Sequence, residues 1–264
     1  MILRLLRALR SLAVNPHNYY RELVTTNWRL HIVDPTDWLR FKTLVQREMA
    51  SRRSINSRVE TRAIDVLFPG ILSEPVRIFP IPPHPFNVSW HELVLLAAIT
   101  RHLKPKQIFE FGTFDGRTSL HLAANAPDDG VLHTIDITAG AFDFGADSGF
   151  CEPVSVGRWI CGRILDPHIV AITGDSATYD FSAFRGRTDL VFIDADRGEA
   201  AVLRDSAAAF EMLASGRVVI WHDYLMLDSV TKALTGLAEG RKIFHVSGTT
   251  LALTRNAPPN VTAA

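Results

Sequence analysis

The stretch QIFEFGTFDGRTSLHLAANAPDDGVLHTID, residues 107–136, decides how this chain folds. A short apolar run, Gln107 to Phe111, meets two glycines, Gly112 and Gly116. A helical pattern follows over 117–126, and a second apolar run, VLHTI, ends at Asp136. Strand, turn, helix and strand within so few residues describe a parallel pair joined by a crossover helix. The same alternation continues downstream through HIVAI, DLVFI, a helical pattern over 198–214, RVVIW and a second one over 228–239. The end differs. KIFHV and TLALT are separated only by Ser247, Gly248 and Thr249, a spacing that predicts a hairpin and an antiparallel final strand. The expectation is a doubly wound α/β domain.

Upstream the pattern changes. Residues 1 to about 85 lack the alternation and read as a helical accessory region, with helices over 2–13, after Asn18, and over 36–50 behind Asp34-Pro35-Thr36. The segment IFPIPPHPFN, Ile78 to Asn87, holds four prolines and cannot continue a helix. It therefore marks a boundary between an accessory region, 1–85, and a domain over 86–256, with a disordered tail over 257–264. Just beyond it, Ser89-Trp90-His91-Glu92 has capping-box spacing, so a helix is expected from about 90 to 103.

Composition narrows the function. With 264 residues and 47% hydrophobic content the chain can bury a full core. Lys+Arg and Asp+Glu are both 28, so no overall field draws nucleic acid, and a nucleic-acid substrate is disfavoured. Only Cys151 and Cys161 are present, which suits a reducing cytoplasm rather than a disulfide scaffold. Arg4, Arg7 and Arg10 interrupt the apolar N-terminus before an export signal forms. Elsewhere no run approaches the roughly 18 apolar residues of a spanning helix.

In an open parallel sheet, ligands sit beyond the carboxyl ends of the strands. Four such ends carry informative residues: the glycine turn Glu110-Phe111-Gly112-Thr113-Phe114-Asp115-Gly116, then Asp136, then Gly174-Asp175-Ser176, then Asp194-Ala195-Asp196. A nicotinamide-dinucleotide site also wants a glycine turn and an acidic residue about 20 residues on, but as G-x-G-x-x-G. Phe114 stands where that fingerprint has its second glycine and would block a pyrophosphate.

These residues resemble the class I S-adenosylmethionine-dependent methyltransferases over roughly residues 88 to 254, and the turn matches that family's E-x-G-x-x-x-G pattern. The resemblance implies a Rossmann-like sheet of seven strands. It also implies S-adenosylmethionine as cofactor, with Glu110, Gly112, Thr113 and Gly116 around its amino acid moiety. Asp136 would then hold the ribose hydroxyls, Asp175 and Ser176 the adenine edge, and Asp194 a neighbouring part of the cofactor site. A carboxylate is a good double acceptor for a ribose diol, which agrees independently.

Two further motifs refine the resemblance. Phe192-Ile193-Asp194-Ala195-Asp196-Arg197 is similar to the F-[IV]-D-A-D-K segment of metal-dependent caffeoyl-CoA and catechol O-methyltransferases, whose first aspartate binds metal. Asp223 takes the place of their second aspartate and Tyr224 that of the following asparagine. The resemblance thus implies Asp194 and Asp223 as ligands of Mg²⁺. The tail ending in WHDY is more similar still to bacterial small-molecule and sugar O-methyltransferases. Those usually carry histidine and tyrosine where this chain has Arg197 and Glu199. Arginine stays protonated and cannot act as a base, so Arg197 reads as a substrate anchor or a solvated residue at a helix start.

His222 is then the nearest titratable candidate for proton removal, although strand alternation turns it away from the face used by Asp223 unless the strand has ended. The long insertion from Thr138 to Asp166 reads as a lid, with Phe142, Phe144, Phe150 and Trp159 either lining an acceptor pocket or anchoring the loop. Helix 2–13, basic and amphipathic, suits an anionic membrane surface, a homodimer contact or docking on its own domain. The expected activity is O-methylation of a small molecule or sugar. A cofactor-binding protein without turnover and a hydroxylase-like enzyme on the same scaffold are the alternatives.

Overall fold

The computed structural model describes residues 59–84, 86–137, 156–160 and 168–255. The expected helices over 2–13 and 36–50, the segment after Asn18, Phe142, Phe144, Phe150, both cysteines and the 257–264 tail lie outside the described residues.

Among the described residues eight strands form one sheet: β1 (Glu60–Arg62), β2 (Gln107–Phe111), β3 (Val131–Asp136), β4 (Ile169–Thr173), β5 (Thr188–Ile193), β6 (Leu213–Trp221), β7 (Ile243–Val246) and β8 (Ala252–Arg255). Their spatial order is β1-β7-β8-β6-β5-β2-β3-β4. The chain winds outward from β2 through β3 to β4, then returns to β5 on the other side of β2. That reversal opens a crevice at the carboxyl ends of β2 and β5. Only β8 runs antiparallel, to both β6 and β7, as the short Ser247–Thr249 connection predicts.

Strand alternation splits the core in two. Ile108, Leu190, Phe192, Val218 and Ile220 face one layer, where they meet Leu95, Leu96 and Ile99 of helix α1 (Trp90–Leu103) and Leu120 and Leu122 of α2 (Arg117–Asn125). Their neighbours Phe109, Phe111, Val191, Ile193, Val219 and Trp221 face the other. There they meet Val202, Ala209 and Met212 of α3 (Glu199–Met212) and Val230 and Leu234 of α4 (Asp228–Leu237). Strands buried on both faces read as continuous apolar runs, which is why the sequence pattern is so plain. Each such side chain contributes about 1.5–3 kcal/mol through burial.

Helix α1 begins at the expected capping box: Ser89 Oγ accepts from Glu92 N, and the Glu92 carboxylate accepts from Ser89 N. The proline-rich connector runs along α2 rather than into solvent. Arg77 N donates to Asn125 Oδ1, and Phe79 N donates to His121 Nε2. Backbone groups that no strand or helix pairs are thus met by buried side chains.

The sheet has one strand more than the seven expected. β1 comes from the region read as helical and pairs in parallel with β7. Its three residues, Glu-Thr-Arg, are all exposed, so no apolar pattern announces them. Backbone pairing holds the strand at the sheet edge. Among the described residues no helix is long and apolar enough to cross a membrane.

Candidate active site

A cleft of about 740 Å³ opens at the carboxyl ends of β2, β3, β4 and β5. Its wall is built from the four strand-end segments read from the sequence, with Phe86, Asn87 and Val88 of the connector closing one end.

The glycine turn is shaped by its neighbours. Gly112 has φ +94°, and a Cβ there would lie 2.4 Å from the carbonyl oxygen of Asp194. Only glycine lets the turn cross the end of β5 so closely. Phe114 also takes a left-handed φ of 47°, and its N–H donates to Asp136 Oδ2 at 2.7 Å. Asp136 Oδ1 accepts from Ile137 N at 2.8 Å. Asp136 therefore ties the turn to β3 while lining the cleft. Burial raises its pKa against the lowering effect of the backbone donors.

Glu110 lies beneath the wall rather than on it. It is fully buried, its Oε2 accepts from Thr134 Oγ1 at 2.7 Å and from Ser119 Oγ, and its Oε1 has no partner among the described residues. Burial pushes its pKa up to about 8 despite those two donors, so at neutral pH it is largely a neutral acid. Thr113 shares a hydrogen bond of 2.7 Å with Thr134 and does reach the cleft. Gly116 starts α2 at φ +81° and packs against Ile160 and Gly157, outside the lining.

At the opposite end, Asp175 and Ser176 line the cleft. Asp175 Oδ1 accepts from Ala177 N, and Ser176 Oγ donates to Asp205 Oδ1 at 2.9 Å. Asp205 is buried on α3 and had no signal in the sequence beyond a carboxylate on an apolar face. Asp115, quoted above without a role, is also buried. It accepts from Asn87 Nδ2, Arg117 N and Trp159 Nε1. Trp159 thereby anchors its segment to the glycine turn and does not line the cleft. Arg117 is enclosed beneath the connector end, its guanidinium 4.2 Å over the Trp90 ring and donating to Val88 O. Burial lowers its pKa to about 10.

The third group gathers at the ends of β5 and β6. His222 and Asp223 both lie beyond β6, and Asp223 has φ +61°, so strand alternation no longer separates them. His222 Nδ1 is 3.0 Å from Asp194 Oδ1 and 3.4 Å from Asp223 Oδ1, and its Nε2 is 3.6 Å from Glu92 Oε2. Burial opposes the charged imidazole, but Asp194, Asp223 and Glu92 outweigh it and hold its pKa well above the usual value. Burial likewise opposes ionisation of Glu92, yet His222, Ser89 and Thr250 hold its carboxyl well below the usual range. His222 is thus a caged imidazolium with 3% of its side chain exposed and no place on the wall. Such a group positions Asp194 and is not free to take up another proton.

Arg197, on the wall, turns its guanidinium onto both aspartates: Nε to Asp223 Oδ2 at 2.5 Å and Nη2 to Asp194 Oδ1 at 3.4 Å. Tyr224, in the place of the metal-dependent families' asparagine, is wholly buried in the second core layer, its ring beside His245. Glu199 pairs with Lys232 on the surface.

Asp194, His222 and Asp223 lie close enough to present one ligand atom each to a metal ion. The chemistry of the set does not fit Mg²⁺. Three of its four carboxylate oxygens, Asp194 Oδ1 and both of Asp223, already face N–H groups of Arg197 or His222. An imidazole nitrogen is also a poor partner for so hard an ion, which takes oxygen ligands.

Residues 109–224 match the family model described as a methyltransferase domain. With the strand order and the strand-end cleft, this stretch is similar to a methyltransferase domain and lies on a Rossmann-like sheet. Among solved structures it is similar to cofactor-bound Rv0187 from MTB. That likeness has TM-score 0.52 and 18% identity, and covers 67% of this chain and 84% of that one. It is also similar to an O-methyltransferase from Bacillus cereus in complex with SAH, with TM-score 0.48 and 14% identity over 65% and 84% of the two chains. At 18% identity the first of these likenesses is one of fold. No curated protein matches the chain.

Proposed function

We propose that this chain transfers a methyl group from S-adenosylmethionine to a hydroxyl oxygen of a small molecule or sugar. One observation carries the reading. A single cleft is lined by the glycine turn, Asp136, the Asp175–Ser176 pair and Asp194, and so offers hydroxyl, carboxylate and backbone groups along one line of strand ends. Its volume lies within the usual range for small-molecule sites.

In this reading Asp136 accepts from the ribose hydroxyls, Asp175 and Ser176 meet the adenine edge, and Thr113 and Asp115 bound the amino acid end. Glu110 acts from below, fixing Thr134 and Ser119. The cofactor supplies an electrophilic methyl on a sulfonium, and the remaining work is alignment and exclusion of water. Asp194, on the wall and held by His222 from behind, accepts the hydrogen bond of the acceptor hydroxyl. As the oxygen takes the methyl, the sulfur–methyl bond breaks to leave the neutral thioether, and the hydroxyl proton passes through Asp194 to solvent. The hydroxyl specificity follows from the likeness of the FIDAD and WHDY segments to O-methyltransferases.

Calorimetry tests the first step. S-adenosylhomocysteine should bind the full chain, and Asp136→Ala should weaken it by about tenfold or more, the size of a hydrogen bond to a charged group. Binding of NADH with no binding of S-adenosylhomocysteine would overturn the reading.

A further inference from the structure

Two carboxylates at adjacent strand ends, beside a cleft, are the arrangement by which related chemistry holds a divalent ion. Here the space between them is taken. Arg197 Nε lies 2.5 Å from Asp223 Oδ2, and Nη2 of the same guanidinium lies 3.4 Å from Asp194 Oδ1. A magnesium ion needs oxygen contacts of about 2.0–2.1 Å in near-octahedral geometry. Placed on both aspartates, it would have to displace the guanidinium and sit beside the imidazole of His222, whose Nδ1 already faces both carboxylates.

The residue is held in this position from its backbone. Arg197 O accepts from Ser229 Oγ of α4 at 2.7 Å, and the next residue, Gly198, donates its N–H to Asp196 Oδ1 at 2.8 Å. The loop between β5 and α3 is therefore pinned on both sides of Arg197. Arginine also differs from lysine in that it never surrenders its proton, so the positive charge here is permanent.

We propose that Arg197 is a built-in counter-cation that closes the space between Asp194 and Asp223 to divalent metal ions. The inference concerns the same site as the proposed methyl transfer and rests on that reading only for its catalytic meaning. Its physical content is a statement about metal affinity. The charge that a bound ion would bring to the aspartates is supplied by the chain, and the acceptor hydroxyl is positioned without a Lewis acid. An acceptor for such a site needs one hydroxyl at Asp194 and no second oxygen to complete a chelate.

Titration of the full chain with Mn²⁺, followed by electron paramagnetic resonance of the free ion, tests this directly. The wild type should show no saturable site. Arg197→Ala should gain one Mn²⁺ with affinity at least about tenfold above any wild-type binding, since a unit charge a few ångströms from the ion is removed. Adding Asp223→Asn to that variant should abolish the gain, and Arg197→Lys, which keeps the charge, should behave as wild type. Should Arg197→Ala fail to fold, Arg197→Gln keeps donors without charge and carries the same expectation. One Asp223-dependent Mn²⁺ in the wild type would overturn the proposal. So would a folded Arg197→Ala and Arg197→Gln that both bind none. Parallel titration with S-adenosylhomocysteine separates this result from the cofactor reading, because the two ligands are scored independently on the same samples.

Discussion

Glu110→Gln isolates a single buried acid whose protonation the fold controls. In the native chain Glu110 has an ordinary pKa of 4.5 raised to about 8, first by burial and further by the charges of Asp194 and Asp136, against the lowering effect of Ser119 and Thr134. Below pH 4.5 both folded and unfolded chains carry the proton, and this group adds no pH dependence. Between 4.5 and about 8 the unfolded chain loses the proton while the folded chain keeps it, so stability falls as pH rises. Above about 8 both are ionised and the loss is complete. At about 1.4 kcal/mol per pH unit the full loss is roughly 5 kcal/mol. Glutamine keeps an oxygen for Ser119 and Thr134 and cannot titrate. Urea unfolding of wild type and variant across pH 5–9 gives the comparison. The variant should gain several kcal/mol relative to wild type over that range. A difference that stays flat with pH, or one that grows in favour of the wild type as pH rises, would refute the placement of Glu110 as a neutral buried acid.

Gly112→Ala should cost more than about 2 kcal/mol in chemical denaturation, because a left-handed φ is combined with a 2.4 Å approach to Asp194 O. Gly248→Ala, at φ +76° but in open space, should cost about 1 kcal/mol, and equal costs would disprove the loop–strand contact. Glu92→Gln removes a counter-charge from buried His222 and should cost about 3–5 kcal/mol. Glu92, with its lowered pKa, contributes fully above 4.5 and loses its contribution as pH falls through the folded value. His222, raised, contributes fully below 6.5 and loses its contribution as pH rises through the folded value. Thermal melts should therefore show the greatest deficit between pH 4.5 and 6.5, and a deficit confined to high pH would contradict the pairing. Methyl transfer to an acceptor hydroxyl should survive exhaustive chelation, and loss of turnover restored by Mg²⁺ would show that the metal-free reading fails.

The fold was legible where burial imposes a period. Strands β2 and β5, and β6 over Val218–Trp221, are covered on both faces, so each appears there as an apolar run whatever its neighbours are. Helix α1 announced itself by Ser89 and Glu92, and β8 by the three-residue connection before it. Strand β1 left no such trace, because its three residues are polar and exposed and its place depends on pairing with a strand about 180 residues away, to which Thr61 adds a side-chain bond at His245. An edge strand of this kind is specified by what it lies beside.

The site was legible as positions and illegible as directions. Asp136, Asp175, Ser176 and Asp194 fall on the cleft because strand ends dictate where a residue stands, but nothing in the sequence says where a side chain points once the strand has stopped. Glu92 reads as the closing member of a capping box, and it is. Yet its carboxylate also accepts from Thr250, 158 residues on, and faces His222. His222 was expected to point away from Asp223 by the two-residue period of a strand. The left-handed turn at Asp223 cancels that period, and both side chains converge on Asp194. A non-glycine residue in that conformation costs roughly 1–3 kcal/mol and persists only where surrounding contacts fix it. Here those contacts include backbone bonds from Met226 and Leu227 to Asp223 O, one from Tyr224 to Thr250 O, the Arg197 guanidinium and the His222 imidazole. Arg197, read from the sequence as a substrate anchor or a solvated residue at a helix start, in the structure binds both Asp223 and Asp194 and forms one side of that cage.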